Sequence, residues 1–184
     1  MIADKIKDEA RQLIDSLKKM GIEVYMVTGD SQKTVLAVGK FLGISERNVF
    51  GRMLSKEKEE VVKKIKEKSE GKVVAFVGDG VNDAPVLASS DVGIALSTGT
   101  DVAMEVAQVT IVNKNLLTIL KAINLSKKTL RTIKLNLFWA FIYNIILIPV
   151  AMAGKISPIL ASAAMAFSSV SVVTNSLLLK KAKI

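Results

Sequence analysis

Two long stretches without a charged residue constrain the fold of this 184-residue chain more than any other feature. Residues 135–154 and 156–179 contain no Asp, Glu, Lys or Arg, whereas residues 1–134 are rich in charges of both signs. About 20 predominantly apolar residues suffice for a helix to cross the core of a bilayer. The sequence therefore predicts a soluble part over 1–114 and a two-helix transmembrane hairpin over 115–184, with spans at about 133–153 and 157–179.

The net charge of +9 indicates membrane topology rather than nucleic-acid binding. Basic residues precede the first span and follow the second, and only Lys155 lies in the turn between them. This is the positive-inside pattern, so we expect a multi-pass protein of the cell membrane whose soluble part and C-terminus are cytoplasmic. The lysines of 56–68 alternate with glutamates, as on a solvated helix face. We therefore expect no nucleic-acid partner, and the lack of Cys excludes disulfides and thiolate ligands within the chain.

The soluble part alternates between helical and strand patterns. Helical spacing predicts helices over 7–20, 31–42, 55–69, 83–90 and 100–107, and a long helix from 115 that Pro149 should kink. Short apolar runs predict strands over 22–28, 72–78, 91–96 and 108–112. Alternating strands and helices are typical of an α/β fold with a parallel sheet, in which ligands bind at the carboxyl ends of the strands.

Three motifs suited to phosphate chemistry follow this pattern. The first strand ends at Thr28, in a Thr-Gly-Asp turn whose hydroxyl and amides can hold phosphoryl oxygens. Lys58 lies near the start of a predicted helix. The strand over 72–78 ends in GDGVND, where Asp79 and Asp83 can offer oxygen ligands to a hard cation such as Mg²⁺. The Thr-Gly-Asp sequence is also common in ordinary turns, where Asp30 would cap the next helix, and Lys58 could be a solvated lysine. The GDGVND motif is much more specific.

In order and in sequence, these motifs resemble the haloacid-dehalogenase-like phosphorylation domain of P-type ATPases. The resemblance implies that Thr28 hydrogen-bonds the phosphoryl group, that Lys58 neutralises its developing charge, and that Asp79 ligates Mg²⁺. Such sites catalyse phosphoryl transfer by positioning and electrostatic stabilisation. The implied catalytic residues are Thr28, Gly29, Asp30, Lys58, Asp79, Gly80, Asn82 and Asp83, with Asp79 and Asp83 at the Mg²⁺.

The family's DKTGT motif, which carries the phosphorylated aspartate, is not in this sequence. We therefore expect the chain to be the C-terminal part of a pump. The nucleophile, the ATP-binding domain, the actuator domain and the earlier helices would be supplied upstream, in cis or in trans. In the related fold the nucleophile's strand lies in the middle of the sheet, so without it a gap and unpaired backbone groups should remain. The chain alone is predicted to be inactive.

Polar residues in the two spans point to a soft metal ion. Tyr143 and Asn144 lie in the first span, and Met165, Ser168 and Ser169 share one face of the second. A thioether favours Cu(I), and the lack of charged side chains argues against divalent cargo. The alternative is that these residues only pack the helices together.

The spacing of these residues resembles that of the Cu(I)/Ag(I)-transporting class of heavy-metal P-type ATPases. That class also uses a Cys-Pro-Cys pair, which this chain lacks. The resemblance implies a transport site at Tyr143, Asn144, Met165, Ser168 and Ser169, supported by Asn136 and Asn175. It also implies ATP and Mg²⁺ as cofactors, and a cytosolic copper chaperone as a candidate partner. Two alternatives stay open: a non-catalytic remnant or partner subunit of a pump, and a membrane-anchored phosphatase of the haloacid-dehalogenase superfamily.

Overall fold

The structure, a computed structural model, describes residues 6, 8–79, 81–96, 101–113, 115–154 and 157–180. The chain divides into two compact units, Met1–Leu120 and Lys121–Ile184. This division falls inside a helix, a few residues beyond the predicted boundary between 114 and 115. The predicted domain limits stay a prediction.

The first unit alternates helices and strands, as the sequence predicts, and the α/β fold class is confirmed. Its strands are shorter than predicted, because the apolar runs begin before the residues that pair. Strand β2 was not predicted, since a pair of residues shows no periodicity. The elements are α1 (Asp8–Lys19), β1 (Met26–Val27), α2 (Gln32–Phe41), β2 (Val49–Phe50), α3 (Ser55–Lys68), β3 (Ala75–Gly78), α4 (Ala84–Ser89), β4 (Val92–Leu96), α5 (Asp101–Val106) and β5 (Val109–Ile111), with 3-10 turns at Glu46–Asn48 and Val81–Asp83.

The strands form two separate parallel sheets rather than one. Strand β1 pairs with β2, and β3, β4 and β5 pair in that order. Among the described residues, β1 and β3 each have a partner on one side only. Alternate residues of β3 are exposed, which is unusual for a strand of a parallel sheet. The first unit thus contains two short parallel sheets.

Each sheet is held by helices that pack closely against it. Helix α2 lies on β2, where an added Cβ at Gly39 would come within 2.7 Å of Val49, so only glycine permits this approach. Val35 of the same helix is fully buried beside Val49. On the other sheet, Val86 and Leu87 of α4 are completely buried. These contacts fix the loops at the carboxyl ends of β1 and β3.

An ion pair ties α3 to the start of β4. The ammonium of Lys66 lies 2.8 Å from the carboxylate of Asp91, which also accepts a hydrogen bond from the amide of Val74 at 2.8 Å. The hydrogen bond from Lys66, followed by that from Val74, lowers the pKa of Asp91. The charged form of Asp91 is therefore stabilised by folding.

A cavity of about 530 Å³ lies at the amino ends of the strands, between the β1–β2 sheet and α3. Tyr25 and Phe50 line one side, Val61 and Ile65 line the other, and Lys72, which precedes β3, also borders it. Charged side chains of Glu23, Arg47, Lys64 and Lys68 also border the cavity, and the expected gap in the sheet stays a prediction.

The second unit is a helical hairpin. Helix α6 (Thr118–Met152) begins in the first unit and continues through Pro149, and α7 (Pro158–Lys180) follows. Both helices contain windows long and apolar enough to cross a membrane, with mean hydropathies of 1.9 and 1.4. Their large apolar side chains are exposed, as lipid-facing residues would be. Gly154, at φ +65°, ends the first helix in a conformation that favours glycine.

Candidate functional site

The Thr-Gly-Asp turn extends the pairing of β1 with β2. The amide of Thr28 donates to the carbonyl of Phe50 at 3.0 Å, and the amide of Met53 donates to the carbonyl of Thr28 at 3.0 Å. These bonds fix the backbone, while the Thr28 hydroxyl accepts from the amide of Asp30 at 3.3 Å. Thr28 is half-buried and Gly29 is exposed. The hydroxyl and the turn therefore lie at the carboxyl edge of the strand, accessible to a ligand.

Asp30 does not cap the helix that follows it. The cap is Ser31, whose hydroxyl accepts from the amide of Thr34 at 3.3 Å. The carbonyl of Asp30 instead accepts from the amide of Arg52 at 2.7 Å, so the turn is joined to the loop after β2. Arg52 adopts a φ of +57°, which is unfavourable for a residue with a side chain. The local constraint indicates that this loop geometry is held by its surroundings.

Lys58 and Asp83 bring two of the predicted motifs together. The loop after β2 leads into α3, whose first turn is closed by the Glu57 carboxylate accepting from the amide of Leu54 at 2.7 Å. At the next residue, the Lys58 ammonium lies 2.8 Å from the Asp83 carboxylate. The two side chains are only 15% and 13% exposed. Lys58 is thus a partner of the GDGVND loop, and not a solvated lysine.

The GDGVND loop requires glycine at its first position. An added Cβ at Gly78 would lie 2.8 Å from the Cβ of Asp83, too close for the loop to keep its shape. Asp79 and Asn82 are exposed on either side of the turn. Gly80 lies outside the described residues. The loop therefore presents Asp79 and Asn82 to solvent while holding Asp83 against Lys58.

The carboxylates fit a Mg²⁺ site that is completed by other ligands. Mg²⁺ is usually held by one or two carboxylates, with waters and phosphate oxygens filling its octahedron. Asp79 is exposed, and Asp83 keeps one carboxylate oxygen beyond the one that meets Lys58. Among the described residues, no three or more Asp, Glu, His or Cys side chains form a metal cluster. The donor set thus suits a cation that also binds a phosphate.

In the hairpin, the predicted transport residues lie on the two helices, and their polar atoms differ in what they contact. The amide nitrogen of Asn144 donates to the carbonyl of Ala140 on its own helix at 2.9 Å, and the Ser169 hydroxyl donates to the carbonyl of Met165 at 3.2 Å. Met165 is 75% exposed. Ser168 is half-buried. These hydrogen bonds do not involve the Asn144 side-chain oxygen or the Met165 sulfur, which are the atoms that could ligate a metal ion.

The remaining polar residues link the helices directly. The Asn175 amide donates to the Asn136 side-chain oxygen at 2.7 Å, and the Asn136 amide donates to the Ser176 hydroxyl at 2.9 Å. The Tyr143 hydroxyl lies 3.5 Å from that of Ser171. Ser171 and Ser176 were not predicted as site residues. The antiparallel pairing of two helices joined by a short turn is the signal that could have identified them.

Comparison with known proteins agrees with the motifs. Residues 1–91 match the haloacid dehalogenase-like hydrolase family. The chain is 52% identical over 180 residues to a probable copper-importing P-type ATPase A of Enterococcus hirae, covering 98% of this chain and 24% of that protein. It is 51% identical over 183 residues to a copper-exporting P-type ATPase of Staphylococcus aureus, covering 100% of this chain and 22% of that protein. The chain thus spans about a quarter of the length of these curated relatives.

Solved structures show the same relationship. A zinc-transporting PIB-type ATPase in the E2.Pi state superposes with a TM-score of 0.87 at 29% identity, covering 96% of this chain and 28% of that one. The catalytic CPx-ATPase domain CopB-B gives a TM-score of 0.57 at 30% identity, covering 66% of this chain and 47% of that one. The chain is therefore a homologue of the heavy-metal P-type ATPases, with a haloacid-dehalogenase-like domain followed by two apolar helices that could span the membrane.

Proposed function

We propose that this chain is the C-terminal part of an ATP-driven Cu(I) transporter, in which it supplies most of the phosphate-binding loops and one half of the metal site. The observation that carries the proposal is the contact of Lys58 with Asp83 at 2.8 Å. Lys58 lies in the helix that follows the loop bonded to the Thr-Gly-Asp turn. An ammonium placed at a paired-carboxylate loop is suited to neutralising a phosphoryl group.

Each loop has a role in phosphoryl transfer. Thr28 donates its hydroxyl to a phosphoryl oxygen, and the amides of its turn contribute further donors. The Lys58 ammonium stabilises the charge that develops on the transferring group, while Asp83 holds this ammonium in position. Asp79 and Asp83 would hold Mg²⁺, which supplies positive charge between carboxylates and phosphate. Asn82 is exposed beside them and can orient the phosphate or a water.

The division of the strands into two sheets supports a nucleophile outside this chain. Strands β1 and β3 each have a partner on one side only among the described residues, and α3 lines the cavity near β1 with Val61 and Ile65 as well as with lysines. A strand inserted between β1 and β3 would end at the same edge as Thr28 and Asp79, because parallel strands share the edge where their carboxyl ends lie. An aspartate following that strand would then lie among the phosphate-binding loops.

The hairpin supports Cu(I) as the transported ion. The available donors are a thioether, an amide oxygen and hydroxyls, and no charged side chain lies in either stretch to compensate a divalent ion. The two relatives named above carry copper in their names, although a zinc-transporting ATPase shares the fold. We therefore assign Cu(I) on ligand chemistry, with Tyr143, Asn144, Met165, Ser168 and Ser169 as contributors.

Helix α6 is the element that would couple phosphorylation to metal transport. It is continuous from Thr118, beside the soluble unit, to Met152 at the hairpin turn. Coupling requires that phosphorylation and metal binding favour different states of the pump. We place the soluble unit and the C-terminus in the cytoplasm, on the side where basic residues flank the spans. A cytosolic copper chaperone would deliver metal on that side.

The test uses the intact pump, with this chain joined to its upstream sequence, purified and reconstituted. Met165→Leu removes the sulfur and keeps an apolar side chain, and Met152→Leu at the hairpin turn is the matched control. We expect Cu(I)-stimulated ATP hydrolysis to fall at least tenfold in the first variant and to change less than twofold in the control. Undiminished stimulation in Met165→Leu, or stimulation of the wild type by Zn²⁺ but not Cu(I), would contradict the assignment.

A further inference from the structure

Asn136, Asn175 and Ser176 join the two hairpin helices through side chains 39 and 40 residues apart in sequence. The distances of 2.7 and 2.9 Å are those of well-formed hydrogen bonds. Asn136 uses both ends of its amide in them, since its oxygen accepts from Asn175 and its nitrogen donates to Ser176. Side-chain amides in a span are costly unless they are paired. Both polar atoms of the Asn136 side chain are therefore hydrogen-bonded to α7.

Asn144 contrasts with Asn136 on the same helix. Its nitrogen donates to the carbonyl of Ala140 one turn earlier, and among the described residues its oxygen accepts no hydrogen bond. An amide oxygen left in this way is suited to binding a metal ion, whereas the Asn136 oxygen is already occupied. Asn136 and Asn144 thus differ in the chemistry that they can perform.

The paired asparagines also fix the alignment of the two helices. Helices in an antiparallel hairpin advance by the same 1.5 Å per residue in opposite directions. Moving eight residues along α6, from Asn136 to Asn144, therefore corresponds to moving roughly eight residues back along α7, from Ser176 to Ser168. A slip at the asparagine pair would displace Asn144 from Ser168 by the same amount.

We propose that Asn136, Asn175 and Ser176 form an interhelical clamp that sets the register of α6 and α7 and so places Asn144 opposite Ser168. The three are positioning residues that do not bind metal. The effect of the clamp on Cu(I) binding rests on the proposed transport function, but the clamp itself is a property of the hairpin. Asn136 and Asn175 were predicted to support the metal site, and the clamp assigns them the role of aligning the helices.

The experiment is a double-mutant cycle in the intact, reconstituted pump with Asn136→Leu, Asn175→Leu and the double variant. Asn175→Leu leaves the Asn136 oxygen without its hydrogen bond, and Asn136→Leu leaves the Asn175 nitrogen without its acceptor. The double change removes both of these polar groups and replaces them by apolar side chains. Interhelical hydrogen bonds in membranes contribute about 0.6 kcal/mol on average and up to about 1.7. We therefore expect each single variant to raise the half-maximal Cu(I) concentration about 3-fold, and at most about 20-fold.

The double variant distinguishes positioning from ligation. A clamp predicts that the double variant is less impaired than the more impaired single variant, with the number of bound Cu(I) ions unchanged in all three. Losses that multiply, or a lower Cu(I) stoichiometry in Asn136→Leu, would overturn the proposal, because each amide would then act on the metal by itself. Thr174→Leu, an exposed polar position next to the pair, is the matched control and should change neither quantity.

A failed transport function would leave a different signature. If the wild-type pump is not stimulated by Cu(I), the cargo is wrong, and the same cycle is read from thermal unfolding of the pump. A clamp then predicts that the unfolding temperature of the double variant falls by less than the sum of the decreases in the two single variants. Purely additive shifts would overturn the clamp as well.

Discussion

The contact of Lys58 with Asp83 predicts a large effect from a single substitution, Lys58→Met in the intact pump. At 2.8 Å the Coulomb attraction is about 6 kcal/mol with an effective dielectric constant of about 20. Desolvation of the two groups offsets much of this, and hydrogen bonds to charged groups contribute about 1.5–3 kcal/mol net. We therefore expect the free energy of opening α3 to fall by about 2 kcal/mol, because Asp83 is left mostly buried without its partner.

The effect on chemistry should be larger than the effect on stability. Removing one preorganised group that stabilises a developing charge lowers the rate about 10²–10³-fold. The assay is the initial rate of acyl-phosphate formation from labelled ATP, with hydrogen exchange of α3 amides as the measure of stability. Lys63→Met is the matched control on the same helix, because its ion pair with Glu59 is a surface pair with Lys63 58% exposed.

A surface pair of this kind contributes less than about 1 kcal/mol, so the control should retain nearly full activity. If Lys58→Met and Lys63→Met form acyl-phosphate at rates within twofold of each other, Lys58 has no role in the phosphate site. If only hydrogen exchange changes, the ion pair stabilises the fold without serving the chemistry. Either result refutes the proposed role of Lys58.

Two further substitutions test the loops and the sheet. Gly78→Ala should displace Asp83, since the new Cβ would lie 2.8 Å from the Asp83 Cβ. Acyl-phosphate formation should then fall more than tenfold while the circular dichroism spectrum is unchanged. Activity near that of the wild type would show that the loop can adjust. The pKa of Asp91 is lowered by the hydrogen bonds from Lys66 and Val74, so its stabilisation is present above about pH 4 and is lost as the pH falls through the lowered pKa. Asp91→Asn should therefore reduce the acid dependence of unfolding below about pH 4, as measured by fluorescence, and an unchanged acid limb would contradict this linkage.

Much of the fold follows from the sequence because its signals are local. Glycines after helices, apolar runs and uncharged stretches identify the helices, most strands and the two apolar hairpin helices, and the structure contains them. The short pair of β2 was missed, since two residues carry no periodicity. The prediction of a gap in the sheet rests on the absence of the DKTGT motif rather than on propensity.

The site is less predictable, because hydrogen-bond partners depend on tertiary structure. Spacing identifies Lys58 and Asp83 as candidates, but their direct contact requires the packing of α3 beside the loop. The same holds for Asn136, whose pairing with Asn175 and Ser176 depends on the register of two helices. The sequence also could not show that Ser31, rather than Asp30, caps α2, since serine and aspartate are equally good capping residues.

The most direct test of the proposed function is acyl-phosphate labelling with ATP, performed on this chain alone and on the intact pump. We predict no label on the chain alone. On the pump we predict a hydroxylamine-labile label that Asp79→Asn abolishes, because Asp79 is an exposed carboxylate available to Mg²⁺. Label on the isolated chain would show that a nucleophile lies within these 184 residues, and would contradict the proposal that the phosphorylated aspartate lies outside them. Full labelling of the Asp79→Asn pump would contradict the assigned role of the GDGVND loop.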